Sequence, residues 1–169
     1  DEERYFLERL KDTTIKLHYA AGDLIELAWI EAGMPVLHQP VAFAEVVRHA
    51  AAQANDPRIQ LSLNDAHMTV LGDSDQLATA VTKLLHNALT YSDPQTPVTL
   101  SVWVEDSKAL LAVTDSGFGI AEDEQDNVFD RLYRSKDPRV KAIPAGGLGL
   151  TVARKIARHF GGDVSLQSA

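Results

Sequence analysis

The sequence contains no cysteine, which excludes a disulfide frame and any thiolate metal site and fits a cytoplasmic protein. No uninterrupted apolar run approaches the roughly 18 residues that a membrane span requires, so no membrane contact is expected of this chain. Basic residues are outnumbered, 16 Lys and Arg against 24 Asp and Glu, a net charge of −8. No basic stripe offsets that charge, which argues against a nucleic-acid binder. A protein this acidic that holds a polyanion must concentrate positive charge locally, through lysines, arginines, helix ends or a cation. Internal repeats, low-complexity tracts and an N-terminal targeting segment are not evident. The opening Asp1-Glu2-Glu3-Arg4 reads as the start of an excised piece.

Glycine and proline are also scarce where the chain begins: residues 5–31 hold only Gly22. Leu7, Leu10, Thr14, Leu17, Ala21, Leu24 and Ala28 alternate spacings of three and four there, a heptad seam. A helix of that length spans about 40 Å, which overhangs a domain of this size, so an intermolecular bundle is favoured over a helix lying on its own domain. Gly33 and Pro35 are its stop signals.

After an extended segment bounded by Pro40, residues 41–54 carry a helical pattern with Val41, Phe43, Val46, Val47 and Ala50 inward. Ile59–Leu63 alternates as a strand, and His67–Leu71 reads as a shorter one. Asp73 and Gln76 resemble a capping box opening a helix to about Tyr91, with Leu77, Val81, Leu84, Leu85 and Ala88 as its buried stripe. Val98–Val104 and Leu110–Thr114 form a hairpin about the polar turn 105–108, delivering Asp115 at its end. Residues 122–133 are predicted as a short acidic helix, 134–146 as a basic loop, 148–160 as the last helix, and Val164-Ser165-Leu166 as a strand barely entered before Ala169. The layout is α+β: a two-layer sandwich with helices on one face of a mixed, mostly antiparallel sheet.

Three segments carry chemistry. In Asp115-Ser116-Gly117-Phe118-Gly119-Ile120 an acid offers a side-chain acceptor beside glycines that let a ring approach the backbone closely. Gly146-Gly147-Leu148-Gly149-Leu150 opens a helix, whose free N–H groups and positive dipole end suit phosphates. Leu84-Leu85-His86-Asn87-Ala88 places an amide oxygen on a separate helix, a ligand type that suits a hard cation such as Mg²⁺. In this order they read as a nucleotide pocket.

With those motifs, the region from Pro35 onward resembles the catalytic ATP-binding domain of sensor histidine kinases, whose wider relatives include the ATPase domains of DNA gyrase and mismatch-repair proteins. Residues 84–92 are similar to the family's N box, 115–120 to its first glycine box, Val128-Phe129-Asp130-Arg131-Leu132-Tyr133-Arg134 to its F box, and 145–150 to its second glycine box. The F box favours histidine kinases over the other ATPases. The resemblance implies ATP and Mg²⁺ as cofactors, with Asp115 on the adenine amino group and Asn87 on the metal. Gly117, Gly119 and Ile120 would lie beside the nucleotide, Tyr91 would line the pocket, and Gly147, Leu148 and Gly149 would hold the phosphate side. Arg134 would approach the terminal phosphates, residues 135–146 would form a flexible lid with Lys136, Arg139 and Lys141, and Phe129 would pack the lid's base or fill core. Residues 1–34 resemble the second helix of the kinases' dimerisation and phosphotransfer hairpin, and 35–169 the catalytic domain. Implied partners are a second copy, paired through the first helix in the full-length protein, and a response-regulator receiver domain.

The chain departs from the family pattern at several positions. Lys83 stands where a second Asn is usual and Thr90 where a Lys is usual. Lys83 shares a helix face with Asn87. It is expected to donate to phosphate, to point to solvent, or to repel the metal. Leu132 replaces a frequent Phe, and Ala145 a frequent Gly. No His in residues 1–31 is followed by the acid and Arg-Thr-Pro pattern of the phosphoacceptor; His18 reads as structural or exposed, and the acceptor and its base are expected outside this chain. His38, His49, His67, His86 and His159 show no paired metal spacing. The expected function is that of a catalytic fragment that donates the ATP γ-phosphoryl to a histidine on a dimerisation hairpin. The alternatives are a degenerate nucleotide-sensing or dimerisation module, and an ATPase or serine kinase of the same superfamily.

Overall fold

A computed structural model describes residues 2–33, 35–65 and 67–168, with the side chains of all of these but Glu2, Asp12, Lys16 and Tyr19. The boundary residue Met34 and the terminal Ala169 lie outside that set. The long helix α1 runs Glu2–Glu31. It stops as its sequence predicts, with Gly33 at φ +61° donating its N–H to the Ile30 carbonyl.

Strand β1 (Gln39–Ala42) pairs antiparallel with β3 (Thr69–Gly72). A second sheet has the order β2-β4-β5, with β2 (Ile59–Leu63) parallel to β4 (Val98–Glu105) and β5 (Lys108–Thr114) antiparallel to it. Helices α2 (Phe43–Ala54) and α3 (Ser74–Tyr91) cover this layer, giving the mixed, mostly antiparallel α+β sandwich expected. Its core joins the two periodicities. Val98, Leu100 and Val102 alternate inward from β4, each with no exposed surface, against Val46, Val47 and Ala50 of α2 and Val81, Leu85 and Ala88 of α3. Each such valine or leucine contributes about 1.5–3 kcal/mol by its burial.

The hairpin turn is a two-residue primed turn, with Asp106 and Ser107 at φ +47° and +62°. Asp73 caps α3, its carboxylate accepting from the N–H groups of Asp75 and Gln76 while also accepting from Leu37. A second core cluster gathers Leu27 of α1 with Leu148, Val152 and Ile156, the last two on α5 (Gly149–His159).

Four segments differ from the sequence expectation. Val41 is buried, but on β1, and α2 begins only at Phe43. Residues 122–133 do not form a helix: one 3₁₀ turn, Glu122–Glu124, is followed by turns. Glu124 turns its side chain inward to gather donors from residues 133–136, and this local bonding competes with a continuous helix. The basic loop contains a short helix, α4 (Pro138–Ala142), because Asp137 caps it through the Arg139 N–H and Pro138 takes the first helical position. Residues 164–166 form no strand; the tail bonds instead to the glycine loop, Ser168 Oγ accepting from the Ile120 N–H at 2.9 Å.

Candidate nucleotide site

The cap at Asp73 sets the phase of α3 so that Lys83, Asn87 and Tyr91, spaced four apart, share one half-buried face. The end of this helix is held from outside. Arg58, gripped by Asp56, donates to the Leu89 and Asp93 carbonyls and to Ser92 Oγ, satisfying groups a helix C-terminus leaves open.

Strand β5 delivers Asp115 next to that helix end. Ser92 and Gly117 form a bridge, and the Phe118 N–H donates to the Tyr91 carbonyl at 3.3 Å. Burial raises the Asp115 pKa, opposed by the Gly117 N–H that donates to the carboxylate. Gly117 has no room for a side chain: a Cβ would lie 2.6 Å from both Asp115 Oδ1 and the Tyr91 oxygen. Gly119, at φ +71°, then turns the chain toward Ile120. Aspartate, glycine loop and the Tyr91 end of α3 are therefore one packed unit.

The second glycine run closes the segment expected to be the lid. The Leu132 N–H donates to the Gly147 carbonyl at 3.0 Å, so the lid's two ends meet. Gly147, at φ +70°, sits where a Cβ would be 2.7 Å from the Tyr133 oxygen. Gly149 begins α5 in an ordinary conformation with its nearest neighbours, on the Lys83 side chain, at 4.0 Å. Leu148 turns its side chain into the core, 1% exposed, so its backbone is what faces the loop.

Arg134 spends Nη2 on the Val140 and Ile143 carbonyls, 2.6 Å each, clamping the lid from within. Burial raises the pKa of the Tyr91 hydroxyl, and the charge of the nearby Arg134 guanidinium opposes it. Arg134 Nε is buried without a hydrogen-bond partner, a donor left unspent. Arg139 pairs with Asp137 and stacks 4.6 Å over the Phe118 ring. Phe129 is held by α5: Arg154 stacks on its ring at 4.5 Å, and its carbonyl accepts from Thr151 Oγ1. A cleft of about 740 Å³ opens between the glycine loop and the lid, lined by Gly119, Ile120, Glu124, Lys136 and Arg139 among others, but not by Asp115, Asn87 or Gly147.

Three contributions escape the motif reading. Glu124, 5% exposed, accepts from Tyr133 Oη, Ser135 Oγ and the Lys136 N–H at 2.5–2.9 Å and fixes the lid's base. Arg58 carries a weak signal, an acid two residues before a base next to a predicted strand. Lys83 has partners the motif does not foretell: its ammonium lies 2.5 Å from Asp23 and 3.4 Å from Glu26, both on α1. Thr90 sits 3.4 Å from His86 Nδ1.

A family model described as histidine kinase-, DNA gyrase B- and HSP90-like ATPase matches residues 72–169. The chain belongs to this ATPase family. Among curated relatives, the sensor-like histidine kinase SenX3 of Mycolicibacterium smegmatis is 33% identical over 99% of this chain and 45% of its own length. The histidine-protein kinase/phosphatase MprB of Mycobacterium ulcerans is 34% identical over 90% of this chain and 30% of its own. The chain thus spans less than half the length of these relatives. Among solved structures, the mycobacterial sensor kinase MprB superposes with TM-score 0.64 at 30% identity, covering 74% of this chain and 81% of that one. Full-length ShkA in complex with AMPPNP superposes with TM-score 0.71 at 21% identity, over 99% of this chain and 37% of that one, a likeness of fold. The chain carries the catalytic ATPase domain of the sensor histidine kinase type, and the degenerate-module reading loses its support. Among the described residues no helix is long and apolar enough to cross a membrane.

Proposed function

We propose that this chain binds ATP through Asp115, Gly117, Gly119, Ile120, Tyr91, Asn87, Lys83, Arg134 and the 147–149 run, and donates its γ-phosphoryl to a histidine carried elsewhere in the full-length kinase. The observation that carries this is the fusion of the Asp115 loop with the Tyr91 end of α3 around a glycine that admits no Cβ. It holds the Asp115 carboxylate as a fixed acceptor, which is what an adenine amino group needs.

Mg²⁺ fits the donor set. Asn87 offers a neutral oxygen, and among the described residues no group of three His, Cys, Asp or Glu gathers to hold a metal alone. A cation that keeps its waters and takes most ligands from substrate phosphates is typical of Mg²⁺, and it would supply charge neutralisation at the β- and γ-oxygens. The chain's residues do the positioning: Asp115 fixes the base, the start of α5 presents N–H groups to phosphate, and the lid with Arg134 shuts water out. In transfer the bond from the γ-phosphorus to its bridging oxygen breaks, a P–N bond to imidazole forms, and ADP leaves. The imidazole proton goes to a base on the acceptor hairpin.

Residues 1–34 act as the second helix of the dimerisation hairpin and 35–169 as the catalytic domain. Leu7, Leu10, Leu17 and Leu24 of the heptad seam are all exposed, which supports pairing with hairpin helices of a homodimer. The phosphoryl group then passes to a response-regulator receiver, and dependence on ATP makes the unit cytoplasmic. Calorimetric titration with a non-hydrolysable ATP analogue, with and without Mg²⁺, tests the reading. Asp115→Asn should weaken binding by about 10- to 100-fold, the value of one charged hydrogen bond. Equal binding by the two proteins removes Asp115 from the site.

A further inference from the structure

The face of α1 that docks on the catalytic module is not its heptad seam. It is a separate stripe: Ala20 against Gly146 of the lid's end, Leu27 buried among Leu148, Val152 and Ile156, and carboxylates on either side. Glu31 pairs with Lys155 and Arg131, while Asp23 and Glu26 converge on Lys83. Docked α1 therefore touches three parts of the nucleotide site at once: α3, the lid's end and the approach to α5.

Lys83 is the pivot. Its stem runs beside Gly149, the start of α5 where phosphate is expected, and it lies one turn before Asn87 on the same face of α3. Its charge, however, is drawn away to Asp23, which is 6% exposed, and to Glu26, one of whose oxygens is buried without a hydrogen-bond partner. A carboxylate as buried as that of Asp23 is strongly disfavoured once its cation leaves. A polyphosphate at the start of α5 would compete for that cation.

We propose that Lys83 is a cation shared between α1 and the nucleotide: held by Asp23 and Glu26 when α1 is docked, it turns to the polyphosphate on loading, so that ATP binding and release of α1 promote each other. This rests on the nucleotide site proposed above. By reciprocity the docked helix weakens ATP binding by the same factor as ATP weakens docking. Adenosine, which has no phosphate, is indifferent to the state of α1.

The experiment titrates the whole chain with adenosine and with a non-hydrolysable ATP analogue, in wild type, Asp23→Asn/Glu26→Gln, and that double variant with Lys83→Ala added. The double variant should bind the ATP analogue about tenfold more tightly, bind adenosine unchanged, and lose the gain when Lys83 is removed. In unmodified protein, hydrogen exchange over residues 20–31 should rise with the ATP analogue and not with adenosine, a readout independent of how the variants fold. Equal ATP affinity in wild type and double variant, a gain that survives Lys83→Ala, or unchanged exchange on loading each overturns the coupling while leaving the pocket standing. A folded wild type that binds neither ligand removes the pocket and the coupling together.

Discussion

The carbonyl oxygen of Tyr91 stands 2.6 Å from the point a Cβ would occupy at Gly117. Backbone cannot yield there as a flexible side chain would. Gly117→Ala should cost about 1–3 kcal/mol of stability and abolish adenosine binding, measured by urea denaturation and calorimetry. Gly149→Ala, with its nearest neighbours at 4.0 Å and an ordinary conformation, is the control and should leave stability within about 0.5 kcal/mol.

Glu124 answers three donors with one carboxylate, and the bonds from Ser135, Lys136 and Tyr133 hold its pKa below the usual glutamate value despite desolvation. Because the folded pKa is depressed, the stabilisation is present above the ordinary value of about 4.3 and is lost as pH falls through the folded pKa. Hydrogen exchange of residues 133–137 should therefore accelerate selectively in acid. Glu124→Gln should show that faster exchange already at neutral pH, since an amide can accept at one oxygen and presents its own N–H groups to the remaining donors. Identical exchange in the two proteins at pH 7 would show that the lid's base does not depend on the carboxylate.

Arg58 caps the C-terminal end of α3 through two carbonyls and a hydroxyl while Asp56 holds it in place. Arg58→Ala should lower stability by about 1–3 kcal/mol and weaken nucleotide binding in parallel, because the helix end it steadies carries Tyr91. Thermal denaturation together with titration checks this. Loss of stability with unaltered binding would confine Arg58 to the fold.

Leu27 is 3% exposed in the second core cluster. Leu27→Ala should cost about 2–3 kcal/mol in urea denaturation. Leu24→Ala, one turn away on a side chain 55% exposed, should cost little in this chain by itself.

The elements that were legible in the sequence are those whose burial pattern is their own. The alternation of Val98, Leu100 and Val102 and the stripe of Val81, Leu85 and Ala88 each announce a face, and each face is where the core lies. Gly117 and Gly147 stand out in the sequence as glycines that a nucleotide could approach, whereas the close approaches present are by the chain's own backbone, at Tyr91 and Tyr133. What stayed hidden depends on partners far along the chain. Asp23 and Lys83 are 60 residues apart, and nothing local marks either as half of a pair. Glu124 lies in an acidic run that reads as a short helix; its burial follows from donors nine to twelve residues later. The docking stripe on α1 was masked by the stronger heptad seam beside it.

The bond from the Leu132 N–H to the Gly147 carbonyl has a geometric consequence. Everything from residue 133 to residue 146 becomes an excursion that leaves the frame and returns to the same spot. Its contour length is thereby uncoupled from the placement of α5, and lengthening or shortening the excursion displaces no part of the sandwich. Beyond the bonds that anchor residues 133–136 to Glu124, the reach of the cover can vary, as the handle of a cup can be redrawn without reshaping the bowl.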